Sequence, residues 1–265
     1  MPRFGVIEPS LERFRELATQ RRVIPVTLTV LSDALTPVGV YERLGAGRAG
    51  TFLLESAAEG VWSRYSFIGA ASAATLTSSE GQAIWMGEPP AGVPTEGNPV
   101  EVLRDTVAYL ATPRGEAGAP FTSGLVGFIG WEAVRHWEKL PNPPLDDTGL
   151  PELAMNLVTD MAIHDNVDST LTLVANAYNR DGKDTGVDEA YAEALARLQG
   201  MVDQLGTPAT APEGPVVISG LDISREELFS TARHTWAEAD YREAIARTKE
   251  AIVEGEVFQA VVARR

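Results

Sequence analysis

Hydrophobic and polar positions along the chain fall into short, separable elements. In residues 10–20, SLERFRELATQ, the apolar positions Leu11, Phe14, Leu17 and Ala18 recur at helical spacing. That pattern predicts an amphipathic helix with Ser10 as its cap. Residues 23–31, VIPVTLTVL, are β-branched and predict a strand. In TPVGVYERLG, Thr36 is the expected N-cap, Pro37 the first helical residue and Gly45 the stop. AATLTSSEGQAIWMG alternates on both sides of Ser-Glu-Gly and predicts a hairpin. NPVEVLRDTVAYLAT predicts a helix with Val100, Leu103, Val107 and Leu110 in register. GLVGFIGWEAVRHWEKLP begins as a glycine-studded strand and turns helical near Trp131. A long hairpin comes next in ELAMNLVTDMAIHDNVDSTLTLVANAYN, with HDNVDS as its polar turn. The next helix, VDEAYAEALARLQGMVDQLG, sets Tyr191, Leu195, Leu198, Val202 and Leu205 on one stripe.

Residues 206–220 are rich in Pro, Gly, Ala and Thr and mark a boundary. The expected organisation is a domain over 1–205, a linker over 206–222 and the start of a second domain over 223–265. In that last part Thr235 with Glu238, or Asp240 with Glu243, supplies a capping box. Tyr241, Ile245, Thr248 and Ile252 make the apolar face, Gly255 stops the helix, and VFQAVVARR opens a strand. A strand without a partner and a helix with one bare stripe are poor physical design. The expectation is therefore that the chain is the front part of a longer protein.

Composition narrows the chemistry. The chain has 265 residues, 44% hydrophobic and 22% charged, as in a soluble globular protein. Its net charge of −15 opposes non-specific binding to nucleic acid or anionic membrane. With no cysteine there is no disulfide, thiolate metal site or cysteine nucleophile. The N-terminus carries Arg3, Glu8 and Glu12 where a signal peptide needs an apolar core, and no apolar run is long enough for a membrane helix. The expected location is the cytoplasm.

Common site signatures are absent. There is no G-x-x-x-x-G-K-[ST] loop and no G-x-S-x-G elbow. Gly124, Gly127 and Gly130 lie in a strand at intervals of three, which is not dinucleotide spacing and implies close backbone packing. His136, His164 and His234 fall in different elements without ligand spacing. HDNVDST lacks the glycine and distal glutamate of a calcium loop. Trp62 and Trp85 are expected to pack in the core or on the surface, and Gln259 to make a structural hydrogen bond.

One stretch is less easily dismissed. In FLLESAAEGVWSRYSFIG, residues 52–69, an apolar run ends in Glu55 and Ser56, and Arg64, Tyr65 and Ser66 precede the next apolar piece. A carboxylate, a hydroxyl and a guanidinium thus stand at adjoining strand ends. A turn, with Arg64 paired to Glu55, is the plain structural explanation.

This stretch resembles a signature of the chorismate-using enzymes, specifically anthranilate synthase component I. Three further segments resemble the same family in the same order: GLVGFIGWEAVRHWEKLP, DDTGLPELAMNLVTDMAIHDNVDSTLTLVANA and YREAIARTKEAIVEGEVFQAVVARR. Two departures are mild: the family's S-x-R ending is Ala263-Arg264-Arg265 here, and Q-V-V is Q-A-V. The resemblance implies an α+β fold. An N-terminal, sandwich-like mixed sheet with flanking helices would form the regulatory domain, ahead of the first helix and strand of the chorismate-binding domain. It implies conversion of chorismate and glutamine-derived ammonia to anthranilate and pyruvate, with Mg²⁺ and a glutamine amidotransferase subunit in a hetero-oligomer. The family's catalytic histidine and metal-binding glutamates lie beyond these residues, so none is named here, and the 265 residues alone are expected to be inactive. In the family the serine of L-L-E-S and its neighbours bind tryptophan, the end product. Ser56 is then the leading ligand residue, Glu55 takes the ammonium or holds the strand end, and Arg64 meets the carboxylate. Of Leu53 and Leu54, alternation allows only one to line an indole slot. The sibling enzyme making 4-amino-4-deoxychorismate and a stand-alone amino-acid-binding module are the competing expectations.

Overall fold

The computed structural model describes residues 4–45, 47–56, 63–111, 120–143, 145–178, 185–207, 230 and 233–263. Trp62, Arg264, Arg265 and most of the expected linker lie outside the described residues. The chain divides into two compact units, residues 1–210 and 211–265.

The first unit runs β1 (Ile7–Glu8), α1 (Leu11–Ala18), β2 (Val23–Leu31), α2 (Pro37–Leu44), β3 (Phe52–Leu54), β4 (Tyr65–Ser79), β5 (Gln82–Gly87), α3 (Pro99–Leu110), β6 (Leu125–Ile129), a 3-10 helix (Trp131–His136), β7 (Leu153–Asp165), β8 (Thr170–Tyr178) and α4 (Val187–Gly206). The α+β class is as expected. Caps explain several boundaries: the Arg13 N–H donates to Ser10 Oγ at 3.3 Å, and the Gly39 N–H to Thr36 Oγ1 at 3.1 Å with Pro37 opening α2.

The eight strands form one sheet in the order β1-β2-β8-β7-β4-β3, with β5 paired to β4 and β6 to β7. Every pair of named strands is antiparallel, where a mixed sheet was expected. Two long strands carry it. The first half of β4 pairs with β3 and its second half with β5. Likewise the first half of β7 pairs with β6 and its second half with β8. The β4–β7 ladder shifts register between Gly69 and Ala74, where bulged strands bend. The Phe67–Gly69 piece and the AATLTSS piece are thus one bulged strand rather than two.

Alternation then assigns the faces. Leu171, Leu173 and Ala175 of β8, with Ile24 and Val26 of β2, point to a core closed by Phe14 of α1, Val40 and Leu44 of α2, and Tyr191, Ala194, Leu198 and Met201 of α4. The opposite face carries Val158, Met161, Ile163 and Val174 with Phe52, Tyr65, Phe67 and Phe121. Against β4 and β5, α3 buries Val102, Leu103, Thr106 and Leu110. Val107, expected on that face, is 50% exposed. Thr106 takes its place, three residues after Leu103 and four before Leu110. A Cβ on Gly127 would lie 1.8 Å from the Ala154 carbonyl oxygen, so this glycine is required by close strand approach.

Where β8 parts from the first half of β7, an arginine fills the split. Arg197 of α4 donates to the Asn176 carbonyl at 2.8 Å and the Thr159 carbonyl at 3.4 Å, and pairs with the buried Asp160 carboxylate. Burial raises the Asp160 pKa despite Arg197. Beside them the Tyr178 hydroxyl donates to the Val158 carbonyl at 2.5 Å, and burial holds it protonated well above the ordinary tyrosine range.

In the second unit α5 (Glu238–Val253) ends with Gly255 at φ 79° and the Glu256 N–H bonded to the Ala251 carbonyl at 2.9 Å. Its N-cap is Ala237 without a side-chain cap bond, so the cap position falls to neither of the expected residues, Thr235 or Asp240. The expected strand over VFQAVV is also not observed. Residues 256–263 pair with no strand among the described residues, Gln259 is exposed, and the Tyr241 hydroxyl donates to the Val262 carbonyl at 3.1 Å.

Candidate functional site

β3 and β4 pair Phe52 with Gly69, Leu53 with Ile68 and Leu54 with Phe67. This register brings the end of β3 beside the start of β4, and so sets Ser56 against Tyr65 and Ser66. The Ser56 hydroxyl donates to the Tyr65 carbonyl at 2.7 Å, and the Ser56 N–H donates to Ser66 Oγ at 3.2 Å. Ser66 is fully buried and pairs across strands with His164, whose Nε2 donates to the Leu35 carbonyl at 3.1 Å. Glu55, one position earlier, is exposed. Leu53 packs into the helix-side core, while Leu54 points with Phe52 to the opposite face and is half exposed. If either leucine lines a slot it is Leu54, beside Phe67, which meets Phe121 edge-on at 5.6 Å.

Arg64 stands one residue before β4, and its partners come from a turn about 100 residues away. Its Nε donates to both Asp165 oxygens at 3.0 and 2.9 Å, and its Nη2 to Asp165 Oδ2 and Asp168 Oδ2, each at 2.7 Å. The guanidinium also sits 5.1 Å from the Tyr65 ring centre. The turn is fixed by Asp165 itself, whose Oδ1 accepts from the Val167 and Asp168 N–H groups at 3.0 and 3.3 Å. The Asn166 N–H reaches back to the Arg64 carbonyl at 2.8 Å. Arg64 therefore pairs with Asp165 and Asp168, and not with Glu55. One guanidinium between two carboxylates leaves the cluster with a net negative charge, which favours an ammonium group and opposes an anion.

The sequence brought Ser56 and Arg64 forward as neighbours, and the structure holds them at one end of the sheet. It named Ser66 and His164 without giving either a place in this site, and it did not single out Asp165 or Asp168. HDNVDS was visible only as a polar turn; its partner depends on β4–β7 register, which no local pattern encodes.

The Asp165 carboxyl is pushed up by burial, but hydrogen bonds from Arg64 and from the Val167 and Asp168 amides outweigh this and hold it below the ordinary range. A depressed carboxylate stabilises the fold above its unfolded pKa of about 3.9 and loses that contribution as pH falls through the folded value. Asp165→Asn is therefore expected to lower the urea midpoint at pH 7 and to flatten its decline below about pH 4. An unchanged acid slope in the variant would show that Asp165 is not the linked group.

The sequence profile of chorismate binding enzymes matches residues 50–265, from just before β3 through the second unit. The chain belongs to the chorismate binding enzyme family. Anthranilate synthase component 1 of Arthrobacter globiformis is 55% identical over 266 residues, covering 100% of this chain and 49% of that protein. The Mycolicibacterium smegmatis protein of the same name is 43% identical over 257 residues, covering 97% of this chain and 47% of its own. The chain thus spans about half the length of the curated relatives it matches. The crystal structure of anthranilate synthase component I from Streptococcus pneumoniae TIGR4 shares the fold, with a TM-score of 0.52 at 16% identity over 85% of this chain and 45% of that one.

Among the described residues of this family member no group of three or more His, Asp or Glu side chains is placed to hold a metal ion. The described residues thus offer no cluster for the Mg²⁺ that the resemblance implies, and none of them is assigned to it. No helix among the described residues is long and apolar enough to cross a membrane. The remaining candidates take ordinary structural places. Trp85 is half-buried, with its indole N–H donating to the Pro94 carbonyl at 3.0 Å. His136 lies between Asn98 at 2.7 Å and Glu152 at 2.6 Å.

Proposed function

We propose that the full-length protein is anthranilate synthase component I, and that these 265 residues are its tryptophan-sensing half. It converts chorismate and ammonia to anthranilate and pyruvate in the cytoplasm, with Mg²⁺ held by residues outside this chain. A glutamine amidotransferase subunit supplies the ammonia, which these 265 residues, having no cysteine, do not release themselves. The observation that carries this reading is 55% identity along the whole chain to a relative bearing that name.

The site geometry supports the regulatory part. A bound amino acid needs an acceptor for its ammonium, donors for its carboxylate and an apolar slot for its side chain. The net negative Arg64–Asp165–Asp168 cluster and exposed Glu55 favour the ammonium. Leu54, Phe67 and Phe121 offer apolar surface on the same face. Ser56, tied by its hydroxyl and its amide to β4, is placed to donate once it releases the Tyr65 carbonyl. Arg64 meets a ligand carboxylate only by giving up Asp168, the more exposed of its two partners.

The test is direct. The full-length protein, given chorismate, ammonium and Mg²⁺, is expected to form fluorescent anthranilate, and the 265-residue chain alone to form none. Accumulation of 4-amino-4-deoxychorismate in its place would overturn the assignment.

A further inference from the structure

At one end of the helix-side core the first unit keeps an open cavity of about 220 Å³, between α1, the last residues of β8 and the first turns of α4. Its floor is apolar and buried, made by Phe14 of α1, Ile24 of β2 and Ala177 of β8. An apolar cavity of ~150 Å³ already takes a benzene ring. The space is therefore that of one phenyl or branched aliphatic group, with room for a polar head at the mouth.

The elements around the cavity are tied to one another. Arg15 Nε and Nη2 donate to Asp188 Oδ1 and Oδ2 at 2.8 and 2.6 Å, fixing α1 to the start of α4. Phe14 and Tyr191 meet at 5.1 Å between ring centres, and the Tyr191 hydroxyl donates to the Pro9 carbonyl at 2.9 Å. Arg22, also on the lining, lies 3.9 Å from the centre of the Tyr109 ring. Three charged groups on the same lining have no such ties. Arg21, half-buried, follows α1, while Glu189 and Glu193 stand one turn apart on α4. Among the described residues none of these three side chains has a hydrogen bond or an ion pair, with each other or elsewhere. Two carboxylates four residues apart on a helix repel each other and favour a cation beside them. A lone guanidinium favours a carboxylate.

We propose that this cavity binds a free α-amino acid with a phenyl- or leucine-sized side chain. The side chain rests on Phe14, Ile24 and Ala177, the carboxylate meets Arg21, and the ammonium meets Glu189 and Glu193. A zwitterion is the charge type that answers both signs at once. An anion alone would face two carboxylates, and a cation alone would leave Arg21 unmatched. The site is separate from the Ser56 end of the sheet. β8 begins at Thr170, which pairs with Asp165 beside Arg64, and the cavity takes its last residues, Ala177 and Tyr178. At ~3.4 Å per residue the two ends of this strand lie about 25 Å apart. The proposal does not depend on the tryptophan-sensing assignment.

Equilibrium dialysis of labelled L-phenylalanine against the full-length protein, with and without saturating tryptophan, tests the proposal without using activity. Saturable binding is expected in both conditions, and equally in Ser56→Phe. Arg21→Ala should weaken it at least tenfold, and so should Glu189→Gln combined with Glu193→Gln, the loss expected for a hydrogen bond to a charged group. These side chains have no partners to lose, so the variants should keep the wild-type melting temperature. Hydrocinnamate and phenethylamine, each carrying half of the head group, should bind at least tenfold more weakly than phenylalanine. No saturable binding at millimolar phenylalanine would overturn the proposal. So would undiminished binding to Arg21→Ala, or hydrocinnamate binding as well as phenylalanine. So would binding that tryptophan displaces and Ser56→Phe abolishes, which would place the ligand at the other end of the sheet. Phenylalanine binding intact in a protein that binds no tryptophan would instead sink the tryptophan-sensing assignment alone.

Discussion

Ser56→Phe in the full-length enzyme is expected to abolish inhibition by tryptophan, raising the inhibitory concentration ~100-fold or more, while ammonia-dependent anthranilate formation stays within about twofold of wild type. Ser56 sits at the end of β3, with its hydroxyl on the Tyr65 carbonyl and its amide on buried Ser66. A phenyl ring there fills the space beside Leu54 and Phe67 that the proposed ligand needs. It also removes the hydroxyl, so sterics and lost hydrogen bonding act in one direction. Inhibition is a free-energy link between two sites, typically ~1–3 kcal/mol, and it vanishes when one ligand no longer binds. Ser56→Ala separates the two causes, because it keeps the Ser56 N–H bond and adds no bulk. It should weaken inhibition by a smaller factor. Normal inhibition of Ser56→Phe would remove the site from this end of the sheet.

Arg197→Met is expected to destabilise the first unit by about 3 kcal/mol, the lower end of the cost of breaking a buried ion pair. For a unit of this size that lowers the melting temperature by roughly 6–12 °C. The residue closes the split where β8 leaves β7, and its loss strands the Asp160 carboxylate and the Asn176 carbonyl at once. Asp160 is already costly to keep charged, since burial raises its pKa even with Arg197 in place. Asp160→Asn in the Arg197→Met background should therefore recover part of the loss. A double variant no more stable than Arg197→Met would mean that the cost lies in packing rather than in charge.

The sequence made local structure legible wherever one residue type has one reason to be in place. Ser10 and Thr36 as caps, Pro37 at a first helical position, and Glu80-Gly81 as a tight turn with both φ positive all come from short-range chemistry. The face of α3 was not legible in full, because Val107 and Thr106 compete for one position and the docking of the helix on β4 and β5 decides between them. The start of α5 shows the same limit: Thr235 and Asp240 both offered caps, and Ala237 holds the position. At the site, Ser56 and Arg64 were visible as neighbours because β3 and β4 are close in sequence. Asp165 and Asp168 were not, because their approach to Arg64 depends on a bulged ladder between β4 and β7. Arg197 was invisible for the same reason, as an amphipathic stripe says nothing of a gap in the sheet beneath it.

Titration calorimetry of tryptophan into the intact protein tests the central claim most directly. The expected result is saturable heat at about one tryptophan per chain, lost in Ser56→Phe. Absence of heat from a folded, catalytically active wild-type protein would contradict the assignment of these residues as its sensing half.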